Sequence, residues 1–261
     1  MKRKFNDAPV LKLPSFSVDE KLHTRLDDFP LLKHLNKSFA CGILGKAGSG
    51  KTSIVIGLLN TPRMMKKVFD KIFVFMPRNS RASMKNDIFQ QLPEDQVYSD
   101  LTIENLIECF EKVEEQAKQR NKSLVIFDDV QQFLKGECQD LVTHMVNNRR
   151  HNRLSIFVIA QSYKKIPKMV RDAFSDLFLF KLSKEDYDEV YREVVQTSTS
   201  NWNFIMNEYL KESKKTPHTF LYINTSSQSF FVNWDEISES GNDSEEANEI
   251  EKPSKRSKLE Y

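Results

Sequence analysis

One stretch constrains this chain more than any other: Gly45-Lys46-Ala47-Gly48-Ser49-Gly50-Lys51-Thr52 matches G-x-x-x-x-G-K-[ST] at every fixed position. The apolar run Phe39-Ala40-Cys41-Gly42-Ile43-Leu44 precedes it and reads as a buried strand. Ser53-Ile54-Val55-Ile56-Gly57-Leu58-Leu59 follows and reads as a helix packed on a sheet. Strand, loop and helix in that order are the setting in which such a motif cradles phosphates. The residue types follow from the negative charge of a phosphate chain. Glycines let the backbone turn tightly and bring N–H groups up to phosphate oxygens, and the helix N-terminus adds partial positive charge. Lys51 is expected to reach the β- and γ-phosphates of ATP and the Thr52 hydroxyl to ligate Mg²⁺, with Ser53 completing the nucleotide-binding segment.

The rest of the chain alternates strand and helix patterns. Continuous apolar runs at 71–76, 123–129, 154–160 and 176–180 read as buried strands, and 219–223 with 229–232 as a hairpin. Helical patterns cover 82–91, 137–148, 167–173, 184–195 and 202–211. A further helix starts at the threonine cap Thr102 and carries Leu106, Ile107, Phe110, Val113 and Ala117 at helical spacing. Apolar strands alternating with helices predict an α/β fold with a mostly parallel sheet covered on both faces. Ligands of such sheets sit at the carboxyl ends of the strands, and Gly45, Asp128 and Gln161 all fall at that end.

Asp128 follows four apolar residues, the pattern of a hydrophobic strand ending in an acid that holds Mg²⁺. Asp129 is next, where a carboxylate would orient and deprotonate the attacking water. Gln161 ends the following strand, where an amide can contact the γ-phosphate and the water as a sensor. Arg149, Arg150 and Arg153 precede that strand. One of them, with Arg150 ranked first, is a candidate arginine finger in a neighbouring subunit, the alternatives being a solvated basic loop or a phosphate-backbone contact.

The 261 residues are enough for one large α/β domain with tails, and a net charge of +2 does not announce a nucleic-acid binder. Any DNA contact must come from local patches such as Lys164, Lys165 and Lys168. No apolar run is long enough to span a membrane, the basic N-terminus lacks the apolar segment of a secretory signal, and the three cysteines have no metal-ligand spacing. An intracellular, reducing compartment is the expectation. The organisation reads as an N-terminal arm at 1–35, a nucleotide-hydrolysing domain at 36–235, and an acidic, disordered tail at 236–261. The tail closes on a basic cluster, Lys252-Pro253-Ser254-Lys255-Arg256-Ser257-Lys258, read equally well as a nuclear-localisation signal or a solvated end.

Taken in order, the phosphate loop, Val125-Ile126-Phe127-Asp128-Asp129, Asn148-Arg149-Arg150-His151 and Ile159-Ala160-Gln161-Ser162 resemble the FtsK–HerA superfamily. In particular, they resemble the genome-packaging ATPases of poxvirus-like large DNA viruses, virophages and Maverick/Polinton-type elements. The resemblance covers about residues 35–180. It implies a RecA-like P-loop NTPase core of the additional-strand class, assembled as a homo-oligomeric ring, often a hexamer. It further implies ATP-driven translocation of double-stranded DNA into a preformed capsid, in a virion or a viral factory of the host nucleus or cytoplasm. It supports Mg²⁺ at Asp128, the base at Asp129, the sensor at Gln161 and the finger near Arg149 and Arg150. Asp129 stands where the wider superfamily more often has glutamate, and the acidic tail is a candidate contact for a capsid protein. The competing readings are a helicase-like or AAA-type remodelling ATPase and a nucleotide-regulated binding module.

Overall fold

In the computed structural model, the described residues are 30–35, 38–62, 64–78, 80 and 88–237. Their strands are β1 (Ala40–Leu44), β2 (Lys71–Phe75), β3 (Val97–Tyr98), β4 (Ser123–Asp128), β5 (Leu154–Ala160), β6 (Asp176–Leu179), β7 (Leu221–Asn224), β8 (Ser229–Val232) and β9 (Asp235–Ile237). They form one sheet in the order β3-β2-β4-β5-β1-β6-β7-β8-β9. Pairing is parallel from β3 through β6 and antiparallel from β6 through β9. One strand, β5, lies between β1, which leads into the phosphate loop, and β4, which ends in Asp128. This insertion is the additional strand that the resemblance implies.

The central strands are mainly apolar because both their faces are covered, with Ser123, Ser155 and Asp176 as buried polar exceptions beside the site acid Asp128. Along β4, Val125 and Phe127 enter one core while Leu124 and Ile126 enter the other, as the two-residue period of a strand demands. The first core is closed by α2 (Ile103–Lys118), α3 (Gly136–Asn147), the short α4 (Lys168–Arg171), α5 (Lys184–Glu193) and α6 (Thr199–Ser213). The second is closed by α1 (Lys51–Asn60) and by turns carrying Met64, Met65, Val68 and Phe69. In α2 the Thr102 hydroxyl accepts from the Asn105 N–H as a cap, and Leu106, Cys109 and Val113 are buried at helical spacing. Ile107, expected on that stripe, is 47% exposed, and Cys109 takes the buried position.

The sheet domain extends past the boundaries read from sequence. Leu32 and Leu35 are buried in the second core, so the supposed arm contributes to the domain from its last residues. Glu236 and Ile237 belong to β9 and pair with β8. Residues 1–29 and 238–261, with both terminal basic clusters and nearly all of the acidic tail, lie outside the described residues, as do most of those in the helix expected at 82–91. Of the latter, the structure describes only a 3₁₀ turn, Ile88–Gln91. No helix among the described residues is long and apolar enough to cross a membrane.

Candidate active site

The phosphate loop leaves β1 pinned on both sides. The Gly45 N–H donates to the Ala160 carbonyl of β5 at 3.1 Å, and the Lys46 N–H donates to the Lys181 carbonyl beyond β6 at 3.1 Å. A Cβ on Gly45 would fall 2.6 Å from the Phe180 Cβ, so only glycine fits this close approach. Gly50 caps α1 with φ 103° and offers no side chain to the helix end. The N–H groups of the first turn, Lys51 to Ser53, therefore have no side-chain cap and no intrahelical acceptor, and are available to an anion. Beside them the Ser49 Oγ is buried without a hydrogen-bond partner. An orphaned donor at a helix N-terminus is what a phosphate oxygen would satisfy.

Lys51 is half-buried, and its ammonium donates to the Lys46 carbonyl across the loop at 2.9 Å. Burial lowers its pKa, opposed by the nearby Asp128 and Asp129 carboxylates. Thr52 Oγ1 donates to Asp128 Oδ2 at 2.9 Å. Asp128 is only 5% exposed, and burial pushes its pKa up to about 6, with the Thr52 bond and Lys51 pulling the other way. No group of three or more His, Cys, Asp or Glu suited to a metal exists among the described residues. The oxygens of Thr52 and Asp128, side by side, fit a hard cation that takes its remaining ligands from water and phosphate, as Mg²⁺ does.

Asp129 adopts φ 55°, in the left-handed region, and its N–H donates to the Ile159 carbonyl at 3.2 Å. Its Oδ1 accepts from Gln161 Nε2 at 3.1 Å and, more weakly, from Gln131 Nε2 at 3.4 Å. Loop, Asp128, Asp129 and Gln161 therefore meet at the carboxyl ends of β1, β4 and β5, as the sequence pattern predicts. Two contributors escape sequence reasoning. Gln131 follows the acid pair by two residues, and its Oε1 is buried without a partner. His218 comes from the turn before β7; its Nδ1 lies 3.1 Å from the Ser49 carbonyl, and its ring lies against Gly50.

Arg149 and Arg150 do not join this site within the chain. Both lie between α3 and the amino end of β5, opposite the phosphate loop. Arg149 donates from Nε to the Ser38 carbonyl at 2.9 Å and from Nη1 to the Val146 carbonyl at 2.8 Å. Burial raises the pKa of Asp176 to about 6, and the Arg149 charge is a lesser influence opposing that rise. Arg149 thus bonds carbonyls of its own chain, whereas Arg150 is exposed. Lys168, one of the lysines weighed between a DNA contact and a solvated loop, pairs with Asp172 at 2.8 Å.

Comparison with known proteins places these features in a family. The family model for the poxvirus A32 protein matches residues 27–252. DNA packaging protein OPG160 of Variola virus, and that of Vaccinia virus strain Western Reserve, are each 28% identical over 162 residues. Those residues are 61% of this chain but 59% of the relative, so the match spans less than two thirds of these curated relatives' length. Among solved structures, the genome packaging NTPase B204 of Sulfolobus turreted icosahedral virus 2, in complex with ATP-gammaS, matches with TM-score 0.54. Its identity is 13%, and the match covers 76% of this chain and 98% of that one. EssC (ATPases 2 and 3) of Geobacillus thermodenitrificans matches with TM-score 0.52 at 13% identity, covering 78% of this chain and 41% of that one. At such identities the structural matches show the fold alone, but the family model spans most of the sequence: this chain belongs to the poxvirus A32 protein family.

Proposed function

We propose that this protein is an ATP-hydrolysing motor that moves double-stranded DNA, packaging a viral genome into a preformed capsid. The observation that carries the hydrolytic part is the meeting of Asp128, Asp129 and Gln161 beside an open helix N-terminus. The DNA-packaging part is supported by membership of the poxvirus A32 family and by the packaging role named for the OPG160 relatives.

In this reading Lys51 leaves the Lys46 carbonyl to neutralise the β- and γ-phosphates, and the first-turn N–H groups with Ser49 hold their oxygens. Thr52 and Asp128 hold Mg²⁺, which supplies charge neutralisation on the phosphates when bound. Gln161 fixes Asp129 through Oδ1. The other oxygen, Oδ2, accepts nothing from the described residues and is left to take the proton of the attacking water. Gln161 also serves as the sensor of hydrolysis. Arg150 is the finger, acting on a neighbouring subunit of a homo-oligomeric ring such as a hexamer, with Arg149 setting its base. The working site is the virion or the viral factory, with a capsid protein as a further partner.

The test is ATP hydrolysis with and without duplex DNA, beside Lys51→Ala. Stimulation by duplex DNA that disappears in the variant is the expected result. Lys51-dependent hydrolysis indifferent to DNA, with or without the capsid partner, would overturn the motor but keep the ATPase.

A further inference from the structure

The proposed chemistry needs Gln161 held against Asp129, yet Gln161 is the first residue past the end of β5. Its placement depends on what holds the chain just beyond it. Along β5, Ile156, Val158 and Ala160 enter the first core, while Phe157 and Ile159 enter the second. Ser162 keeps the parity of the first set, and its hydroxyl reaches α5, whose Val190 is buried in that core. Gln161 keeps the parity of the second set, on the face that α1 covers. Fastening Ser162 to α5 therefore turns Gln161 the other way, toward Asp129.

The fastening is one carboxylate. Asp186 Oδ1 accepts from the Ser162 hydroxyl at 2.8 Å and from the Lys164 N–H at 3.1 Å, so a single oxygen closes the turn that follows Gln161. Oδ2 accepts from the Ser183 hydroxyl at 3.0 Å, and that hydroxyl accepts from the Asp186 N–H at 3.2 Å as the cap of α5. Asp186 is only 4% exposed, and three donors with the positive end of α5 hold its carboxylate in place. Ser183-Lys184-Glu185-Asp186 has the spacing of a capping box, in which the acid reaches back to the backbone N–H of the cap residue. Here the acid turns across to the segment behind Gln161 instead.

The far end of α5 grips the same segment. Glu193 pairs with Arg171 Nη2 at 2.9 Å, and Arg171 Nη1 donates to the Tyr163 and Ile166 carbonyls at 3.3 and 3.4 Å. From this we infer that Asp186 is a positioning residue for ATP hydrolysis, fixing Gln161 against Asp129 through Ser162 and Lys164. The inference rests on the ATPase reading and adds to it a residue that acts only through another side chain.

Steady-state hydrolysis and urea unfolding of Asp186→Ala, Asp186→Asn and Ser162→Ala, each alone and combined with Gln161→Ala, test this. Asp186→Ala should lower kcat about tenfold with KM within about threefold. Asp186→Asn should restore most of that loss, because its carboxamide oxygen still accepts from Ser162 and Lys164 while its amide donates to the Ser183 hydroxyl. With Gln161 already alanine, Asp186→Ala should cost no further kcat, within about twofold. Ser162→Ala removes one bond and leaves the cap of α5 intact, so it reads the same coupling, as a fall of about threefold, if Asp186→Ala does not fold. An unchanged kcat in folded Asp186→Ala, or in Ser162→Ala where that variant is the reader, would overturn the inference. A rise in KM alone would do the same, as would an equal fall in kcat with and without Gln161, the mark of a purely structural role. Wild type without Lys51-dependent hydrolysis would remove the ATPase reading and this inference with it, a result distinct from any difference among the variants.

Discussion

Asp128→Asn should make the nucleotide-free protein more stable while abolishing hydrolysis. Burial raises the Asp128 pKa from an ordinary 3.8 to about 6, so the native state holds this proton more tightly than the unfolded chain does. Between about pH 4 and pH 6 the native state therefore binds more protons, and stability falls as pH rises. A rise of that size corresponds to about 3 kcal/mol of cost once the group is ionised. Asparagine removes the charge and keeps an oxygen to accept from Thr52 Oγ1, now 2.9 Å from Asp128 Oδ2. Its new amide hydrogens lack an assigned acceptor, which takes back roughly 1–2 kcal/mol. The net gain is about 1–2 kcal/mol, or roughly 3–6 °C in Tm for a domain of this size. Thermal unfolding in EDTA without nucleotide, at pH 8 and pH 4, measures it. The gain should be present at pH 8 and replaced by a small loss at pH 4, where native Asp128 is already neutral and the amide cost remains. A loss of stability at pH 8, or an equal gain at both pH values, would refute the reasoning.

Gln161→Ala removes the 3.1 Å bond that orients Asp129 and should lower kcat by about 10- to 100-fold with KM within about threefold, read by steady-state hydrolysis. A fall in kcat/KM carried by KM alone contradicts a positioning role. Tyr222→Phe deletes a 2.5 Å donor to the buried Asp176 Oδ1, which keeps Asn224 at 3.0 Å. It should destabilise the fold by about 1–3 kcal/mol in urea. Burial also raises the Asp176 pKa to about 6, so the loss should be larger at pH 8, where the acceptor is a carboxylate, than at pH 5. The same loss at both values would remove Asp176 from the explanation.

The parts of the fold that are legible in sequence are those whose signal is local. The strands of the parallel core are dominated by apolar residues because both faces are buried, and the Thr102 cap announces α2. β3 and β9 escape notice because Val97–Tyr98 and Asp235–Ile237 are too short to build a two-residue period. In the site, the loop and its acid pair are legible through motif spacing. His218 is not, since it meets Ser49 across 169 residues of chain and nothing local distinguishes it. Arg149 is hard to read from sequence for a different reason. A basic run before a strand gives the same sequence signal whether its side chains reach outward or, as with Arg149, tie down the carbonyls of Ser38 and Val146.

The aspartate at position 129 follows from the backbone that carries it. β4 ends at Asp128, and the chain turns at once so that the Asp129 N–H meets the Ile159 carbonyl of the neighbouring strand. That turn requires φ 55°. Among residues with a side chain, aspartate and asparagine enter this region with least penalty, because a short polar group can bond locally, whereas glutamate lacks that compensation. Glycine would fit the backbone but carry no carboxylate. A glutamate would gain a methylene of reach toward the water, yet would strain the turn and pull its oxygens away from Gln161 and Gln131, which hold Asp129 Oδ1 at 3.1 and 3.4 Å. The shorter acid is thus the residue that this turn selects. The two amides supply by orientation what the side chain lacks in length, so in the role proposed for Asp129 a base held in place would act at a distance set by the fold rather than by its own reach.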